Sequence, residues 1–486
     1  MKRVVLNGAV ALFTVLFFLS GIHPAEEGPE DVKLNDFSHL PVKYEGRKKP
    51  IDTLARNLLT ILSGKQSVRR ESGEKVDAAE WLLDNIAGCT NAADYHVVRI
   101  ENVDVLSSLG LEERKGFRYS YREMLPALSK IQTAAQAAFD KEDQQRDLYD
   151  RQIIKLSNKL YTYQSVLAAF EDPSSIPARQ LMAVAQRYRR LENMSIPLIL
   201  PPVQENDRWR PLMISLLAAH PSMSGAAHNH GVSVDPLAVH LGAALAAHRT
   251  GDAQEFNRQL SEYRAMVQDL NPEAFNKIPF EVFYNRFGAF MKSAQLYLLV
   301  FILSCFGWLF RREGLLSAGR VMMAAAFIPH TFAIVARVFL SGYPPVTNLY
   351  SSAIFIGWAA VAAGIIMEFG FRRGAGGIGN LSGSIAGFST LLIAHFLAGD
   401  GDTMEQMRAV LDTRFWLATH VITITLGYMA TFVAGAIGIL YVLSGVFTRR
   451  LDEETEDGMN RMMYGTICFA LLLSFVGTVL GGLWAD

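Results

Sequence analysis

Hydrophobic residues are unevenly distributed along this chain. The part before Phe290 has the mixed composition of a soluble domain, whereas the rest is dominated by apolar runs. These runs lie at Gln295–Phe310, Ala318–Leu340, Leu349–Phe369, Leu381–Ala398, Phe415–Phe447 and Tyr464–Leu483. Runs of about twenty apolar residues are long enough to cross a bilayer as helices. We therefore predict a mainly α fold, with a polytopic helical membrane bundle at residues 291–486 and a mostly helical soluble domain at residues 26–290.

The first 25 residues have the pattern of a targeting segment. Lys2 and Arg3 precede an apolar stretch from Val4 to Leu19, and a polar run follows from Glu26. This pattern is typical of either a cleaved signal peptide or a signal anchor. An A-x-A cleavage site is not evident after Leu19, which favours the anchor. In both cases the basic start stays in the cytoplasm and the following domain is exported.

Positive charges predict the orientation of the spans. Arg311-Arg312, Arg372-Arg373 and Arg449-Arg450 follow the first, third and fifth apolar runs. The positive-inside rule places these three connections in the cytoplasm. The loops around Pro344-Pro345 and at Gly399–Arg414 then face outward, on the same side as the exported domain.

The soluble domain has mainly helical patterns. Tyr121–Glu171 carries apolar residues at three- and four-residue steps, which predicts one or two long amphipathic helices. Pro236–His248 and Ala253–Leu270 predict a further helical pair joined by a turn at Gly251-Asp252. Phe37–Lys49 alternates around a glycine, which predicts a short hairpin.

Composition excludes several functions. The net charge of -1 gives no cationic field, so the protein is not expected to bind nucleic acid. Cys305 and Cys468 lie in apolar runs, whereas Cys89 lies in the soluble part, which argues against a disulfide. The chain has neither a C-x-x-C pair nor a C-x-x-C-H haem-attachment sequence.

Two segments are considered as ligand sites. His228 and His230 could ligate a metal, although without a third ligand a loop role is the simpler interpretation. The glycines of Gly374–Gly379 lack the context of a phosphate loop.

Ionisable residues inside the apolar runs point to the chemistry. His420 lies at the outer end of the fifth run beside Trp416, where a neutral imidazole could offer a ring nitrogen to a metal. His330 lies near the middle of the second run and His395 near the outer end of the fourth. Such residues are functional candidates by default, although each could simply hydrogen-bond a neighbouring helix. Arg337 could reach the lipid headgroups or hold a carboxylate.

Three segments carry a resemblance to a known family. The loop Ser341–Tyr350 (SGYPPVTNLY) follows a span containing Arg337, Trp416–Val421 (WLATHV) precedes Gly427-Tyr428, and Gly481–Asp486 reads GGLWAD. At about Gln295–Asp486 the chain resembles the CcsA/ResC type of cytochrome c assembly protein, part of the system II machinery. The last segment is similar to the start of the tryptophan-rich WWD segment of that family. The region around Leu40–Ala55 is similar, more weakly, to the N-terminal part of fused forms.

The resemblance implies that the protein handles haem b as a transient ligand. His420 would be an axial ligand to the haem iron on the outer surface, and Trp416, Trp484, Arg337, His330 and His395 are further candidate haem-binding residues. The implied partners are haem, an apocytochrome c with a C-x-x-C-H segment and a ResB/CcsB-like protein. The implied location is the bacterial inner membrane, with the soluble domain on its outer side.

The remaining WWD residues and two further histidines of the family do not occur before Asp486. We therefore expect a truncated form that could not complete haem ligation alone, so an enzymatic role for this chain stays open. Two other functions also stay open. A transporter could use the same polar intramembrane residues, although internal repeats of spans are not evident. A non-catalytic scaffold could dock apocytochrome or partner subunits through the exported helices.

Overall fold

The computed structural model describes residues 2–20, 27–28, 30–70, 72–173, 196–202, 208–218, 235–370, 376–404, 413–448 and 451–485. The chain forms two compact units. The N-terminal unit comprises Pro24–Val282 and Gly399–Gly401, and the membrane unit comprises Met1–His23, Phe283–Ala398 and Asp402–Asp486. The histidines His228 and His230, at which a metal was considered, lie outside the described residues.

The N-terminal unit is mainly helical, with three small two-stranded antiparallel sheets among its described residues. Its helices are α2 (Leu34–Ser38), α3 (Ile51–Ser63), α4 (Ala78–Ile86), α5 (Val103–Leu109), α6 (Tyr121–Met124), α7 (Leu128–Phe139), α8 (Leu148–Ala168), α9 (Leu212–Ala218), α10 (Pro236–Thr250) and α11 (Ala253–Leu270). Its strands are β1 (Pro41–Tyr44), β2 (Arg47–Pro50), β3 (Ser67–Arg69), β4 (Lys75–Asp77), β5 (His96–Arg99) and β6 (Arg118–Ser120).

The predicted hairpin is confirmed as the pair β1–β2. Val42 pairs with Lys49, and the connecting residues Glu45 and Gly46 have φ values of 53° and 79°. Positive φ at both central residues is the geometry of a two-residue hairpin turn that matches the twist of the strands. The turn therefore sets the register of this hairpin.

The predicted helices of this unit are also confirmed. The Tyr121–Glu171 region contains α7 and α8, and α8 begins at a capping box in which Asp147 and Asp150 accept from each other's backbone N–H. The pair α10–α11 is joined at Gly251, whose φ of 81° ends α10. The next residue, Asp252, accepts a hydrogen bond from the backbone N–H of Glu255 and so starts α11.

The membrane unit contains α1 (Lys2–Leu19), α12 (Ile278–Phe287, from its Phe283 onward), α13 (Ala289–Leu309), α14 (Glu313–Ser341), α15 (Leu349–Gly370), α16 (Ile378–Leu397), α17 (Arg414–Trp416), α18 (Ile422–Phe447) and α19 (Glu453–Ala485). Among the described residues, six helices are long and apolar enough to cross a membrane. This confirms the polytopic bundle. The last helix starts earlier than predicted, at Glu453, because a polar first turn continues into the apolar run.

Helices α15 and α16 approach closely through small residues. A Cβ on Gly364 would lie 2.6 Å from the carbonyl oxygen of Gly379 and 2.8 Å from the Cα of Gly383. Such contacts let two helix backbones pack at short distance within a membrane, where dispersion and polar contacts drive association. Position 364 therefore has room only for glycine.

Glu368 fixes the start of α16. It is 1% exposed, and its carboxylate accepts hydrogen bonds from the backbone N–H of Gly377 at 2.9 Å and of Asn380 at 3.3 Å. Arg320 of α14 donates to the same carboxylate at 3.0 Å. A helix N-terminus carries unpaired N–H groups and partial positive charge, so this carboxylate links three helices.

Helix α1 packs against the other helices of the membrane unit. Asn7 donates to the hydroxyl of Ser317 at 2.8 Å, and the side chains of Thr14 and Phe18 are buried. The ammonium of Lys292 donates to the carbonyl oxygens of Phe18 at 2.9 Å and Ser20 at 2.6 Å. These carbonyls end a helix, where a cation is favourable.

Candidate functional site around His420

His420 lies in an irregular stretch at the start of the fifth apolar helix. Residues Leu417–Val421 form a π-helical turn between α17 and α18. A π-turn carries one extra residue within an α-helix and is frequent at functional sites. The predicted fifth span is confirmed as one apolar helix over Leu417–Phe447, and the π-turn at its start re-aims the side chains that precede α18.

The imidazole of His420 is held by the last helix. Its Nδ1 lies 2.7 Å from the backbone carbonyl oxygen of Gly477 in α19. A carbonyl oxygen can only accept, so Nδ1 carries the proton in this bond. The lone pair of the neutral ring is then on Nε2, which is the atom that can bind a metal. The side chain is half-buried.

Two glycines of α19 create the space for this ring. A Cβ on Gly481 would lie 2.7 Å from Cε1 and 3.1 Å from Nδ1 of His420. A Cβ on Gly477 would lie 2.9 Å from the Cβ of Ile424 and 3.0 Å from its backbone. Side chains at these positions would push α18 and α19 apart, so the His420 contact depends on both glycines.

Trp484 completes one wall of the site. Its ring lies 5.8 Å from the His420 ring, measured between centroids, with an interplanar angle of 52°. Trp416, one turn before His420, is half-buried, and its ring packs edge-on against Phe415 at 5.3 Å. The structure thus brings His420 and Trp484 together, while Trp416 packs on its own neighbour.

Arg337 fixes the loop that contains Thr403. Its guanidinium donates to the hydroxyl oxygen of Thr403 at 2.9 Å and to the carbonyl oxygen of Thr403 at 2.7 Å, and it lies 4.8 Å above the ring of Tyr350. Asn348 donates to the same carbonyl at 3.1 Å. The Ser341–Tyr350 motif and Thr403 therefore form one hydrogen-bonded group around a buried arginine, rather than a side chain that reaches the lipid headgroups.

His330 and His395, the other two candidate histidines of the apolar helices, have surroundings that differ from those of His420. His330 is fully buried, with Nδ1 3.1 Å from the hydroxyl oxygen of Tyr297 and the ring edge-to-face with Phe290 at 5.6 Å. His395 is exposed in the last turn of α16 and contacts the ring of Phe396. His330 thus joins two helices of the bundle, as the simpler interpretation of an intramembrane histidine predicts.

Comparison with known proteins supplies the context of this site. The profile of the cytochrome c assembly protein family matches residues 346–486. Protein NrfI of Wolinella succinogenes is 22% identical over 98% of this chain and 49% of its own length. The cytochrome c biogenesis protein CcsA of Cycas taitungensis is 31% identical over 28% of this chain and 42% of its own length, and that of Synechococcus sp. strain CC9902 is 23% identical over 34% and 63%.

The chain thus spans about half the length of the first two of these relatives. The matched residues include the His420 turn, both glycines of α19 and Trp484. Its apolar helices make it an integral membrane protein. Residues 346–486 thus match the cytochrome c assembly protein family, and the chain is similar to proteins of the CcsA type.

Proposed function

We propose that this protein acts in cytochrome c biogenesis by holding haem b at the outer face of the bacterial cytoplasmic membrane for covalent attachment to an apocytochrome c. The observation that carries the proposal is the hydrogen bond from His420 Nδ1 to the Gly477 carbonyl oxygen, at 2.7 Å. The family match over residues 346–486 and the names of the relatives support a role in cytochrome c biogenesis.

The surroundings of His420 fit an axial ligand to haem iron. Haem iron is held in many proteins by a neutral histidine, whose second ring nitrogen donates to a carbonyl or carboxylate. The Gly477 carbonyl fills that role, and half-burial keeps Nε2 accessible. Trp484 offers an apolar face for a planar ring beside it.

The attachment step requires orientation more than catalytic groups. A cysteine thiol of the C-x-x-C-H segment adds across a haem vinyl group, so that sulfur bonds to one vinyl carbon and the proton passes to the other. Nothing is lost from either reactant and no electron is transferred. The protein's role in this step is to hold the haem with its vinyl groups towards the incoming thiols.

The arrangement of the chain fits this role. We propose residues 1–25 as a signal anchor, residues 26–290 as an extracytoplasmic domain and residues 291–486 as the membrane domain. A ResB/CcsB-like protein is the proposed partner. Trp416, Arg337, His330 and His395 remain predicted haem-binding residues, and the test below compares His395 with His420.

The test is the haem absorption spectrum of the purified full chain and of single variants. We expect a Soret band that weakens in His420→Gly and returns when imidazole is added, because free imidazole can occupy the place of the deleted ring. His395→Gly is the comparison variant, since this exposed ring in the last turn of α16 contacts only the neighbouring Phe396 in the described contacts, and a smaller loss of the band than in His420→Gly ranks His395 below His420. A band of equal strength in His420→Gly and in the native chain would contradict the proposal.

A further inference from the structure

Three side chains of the kinds that bind metals, Asp84, Cys89 and His248, lie together in the N-terminal unit. One ligand atom each from Asp84, Cys89 and His248 lies within 4.8 Å of those of the other two, and all three residues are half-buried. A carboxylate oxygen, a thiolate sulfur and an imidazole nitrogen are the three donor types that bind Zn²⁺ in proteins. This group is separate from the histidines of the apolar helices.

Local folding brings Asp84 and Cys89 together. Asp84 lies in the last turn of α4, and the chain then reverses at Gly88, whose φ is 73°. The backbone N–H of Cys89 donates to the carbonyl oxygen of Asp84 at 3.0 Å. This is the 6→1 bond that closes a helix C-terminus, and it folds Cys89 back over the last turn of α4.

His248 comes from the last turn of α10. Its Nε2 lies 2.9 Å from Oδ1 of Asp84, and its ring packs at 5.6 Å from the ring of Phe256. The packing against Phe256 fixes the plane of the imidazole. The nitrogen therefore points at the carboxylate and thiol of the α4 turn.

The two oxygens of Asp84 have different partners. Oδ2 accepts a hydrogen bond from the hydroxyl of Tyr95 at 2.6 Å and lies 3.9 Å from a guanidinium nitrogen of Arg70, which pairs with Glu80 at 2.6 Å. Oδ1 faces His248. Ligating carboxylates are commonly held in this way by a hydrogen bond to the second oxygen. Tyr95 thus orients Oδ1 as the ligand atom.

We propose that Asp84 Oδ1, Cys89 Sγ and His248 Nε2 bind a zinc ion. Zn–N and Zn–O bonds of about 2.0–2.1 Å and a Zn–S bond of about 2.3 Å put tetrahedral ligand atoms roughly 3.3–3.8 Å apart. The Asp84–His248 separation of 2.9 Å therefore has to open by a few tenths of an ångström. Binding releases the thiol proton of Cys89 and requires a neutral His248 ring.

Three protein ligands leave one tetrahedral position for water. The side chains of His248 and Asp84 keep 13% and 15% of their surface exposed, so solvent can reach the cluster. A three-ligand site with an exchangeable fourth position differs from a closed structural zinc site, in which the protein supplies all four ligands.

The test titrates Co²⁺, a coloured substitute for Zn²⁺, into the full chain purified without haem. We expect one Co²⁺ per chain, with a thiolate-to-cobalt charge-transfer band that Zn²⁺ displaces. Cys89→Ser should remove the band, and His248→Gln should weaken binding at least tenfold. The matched control is His240→Gln on the same helix, where Nδ1 contacts the Oε1 of Gln259 at 2.7 Å. This variant should bind as the native chain does.

Two further measurements guard against variants that fail to fold. Tyr95→Phe keeps all three ligands and should lower affinity by about 10- to 100-fold with the band retained, as expected for loss of an outer-shell hydrogen bond. In the native chain, Zn²⁺ should slow alkylation of Cys89 and leave Cys305 and Cys468 unchanged. Absence of the charge-transfer band, its persistence in Cys89→Ser, or alkylation of Cys89 at the same rate with Zn²⁺ would overturn the proposal.

Discussion

Gly481 lies directly against the imidazole of His420, and a single added methyl group at this position would come within 2.7 Å of Cε1. The position of the proposed haem ligand therefore depends on a residue without a side chain in the neighbouring helix.

Gly481→Ala should weaken haem binding without removing any ligand. The new methyl group displaces the His420 ring or separates α18 from α19, and overpacking of this kind costs roughly 1–3 kcal/mol. We expect the haem dissociation constant of the purified chain to rise about tenfold, since 1.4 kcal/mol is a factor of ten. Gly482→Ala is the control, because a Cβ there has no described atom within 4 Å. Equal affinities for the two variants would refute the steric role of Gly481.

Arg337→Gln should loosen the loop at Thr403. The variant loses the two hydrogen bonds from the guanidinium and its contact with the ring of Tyr350. We expect faster tryptic cleavage within Gly399–Arg414, measured by mass spectrometry of the fragments. Thr403→Val should have a smaller effect, because Arg337 still donates to the carbonyl oxygen. Cleavage of Arg337→Gln at the native rate would show that the loop is held by other contacts.

Glu368→Ala should destabilise the membrane unit more than any exposed carboxylate does. The substitution leaves Arg320 and the N–H groups at the start of α16 without this acceptor, and breaking a buried ion pair costs roughly 3 kcal/mol or more. Thermal or denaturant unfolding in detergent measures the change. Glu313→Ala is the control, since Glu313 is exposed and lies 3.6 Å from the same arginine. Its loss should cost less than about 1 kcal/mol.

Helix α1 should remain attached to the mature protein. The contacts of Asn7 with Ser317 and of Lys292 with the last carbonyls of α1 are those of a bundle member. An epitope tag before Met1 should therefore stay on the same polypeptide as a C-terminal tag. His23→Ala, which creates an A-x-A pattern ending at Ala25, tests whether the assay detects cleavage. Loss of the N-terminal tag from the native chain would identify Met1–Leu19 as a signal peptide.

The fold could be predicted from the sequence more fully than the side-chain contacts could. Apolar runs revealed the spans because a bilayer imposes a length on every crossing helix, and the Glu45-Gly46 turn revealed the β1–β2 hairpin. His420 could be selected from its place beside Trp416 at the end of a span. The hydrogen bond from His420 to Gly477 could not be predicted, because 57 residues separate the two and the bond depends on how α18 and α19 cross.

Other side-chain contacts could not be predicted from the amino-acid sequence either. Arg337 was predicted either to reach the lipid headgroups or to hold a carboxylate, and its contact with Thr403, 66 residues later, could not be predicted. Asp84 and His248 lie 164 residues apart, so no motif spacing could join them with Cys89. Hydrophobic periodicity describes one helix or strand at a time. It therefore cannot predict which side chains from different elements come into contact through tertiary packing.

The π-turn at Leu417–Val421 makes the length of this segment as important as its composition. Because the π-turn holds one residue more than an α-helical turn, deleting one residue there would restore ordinary α-helical geometry while α17 and α18 kept nearly the same relative orientation. The residues inside the turn would change direction instead, so the ring of His420 would lose its alignment with the Gly477 carbonyl even though every residue that touches it was kept. An insertion or deletion before Ile422 is thus a sharper change than most substitutions, and alignments of related chains through this turn have to be made by structure.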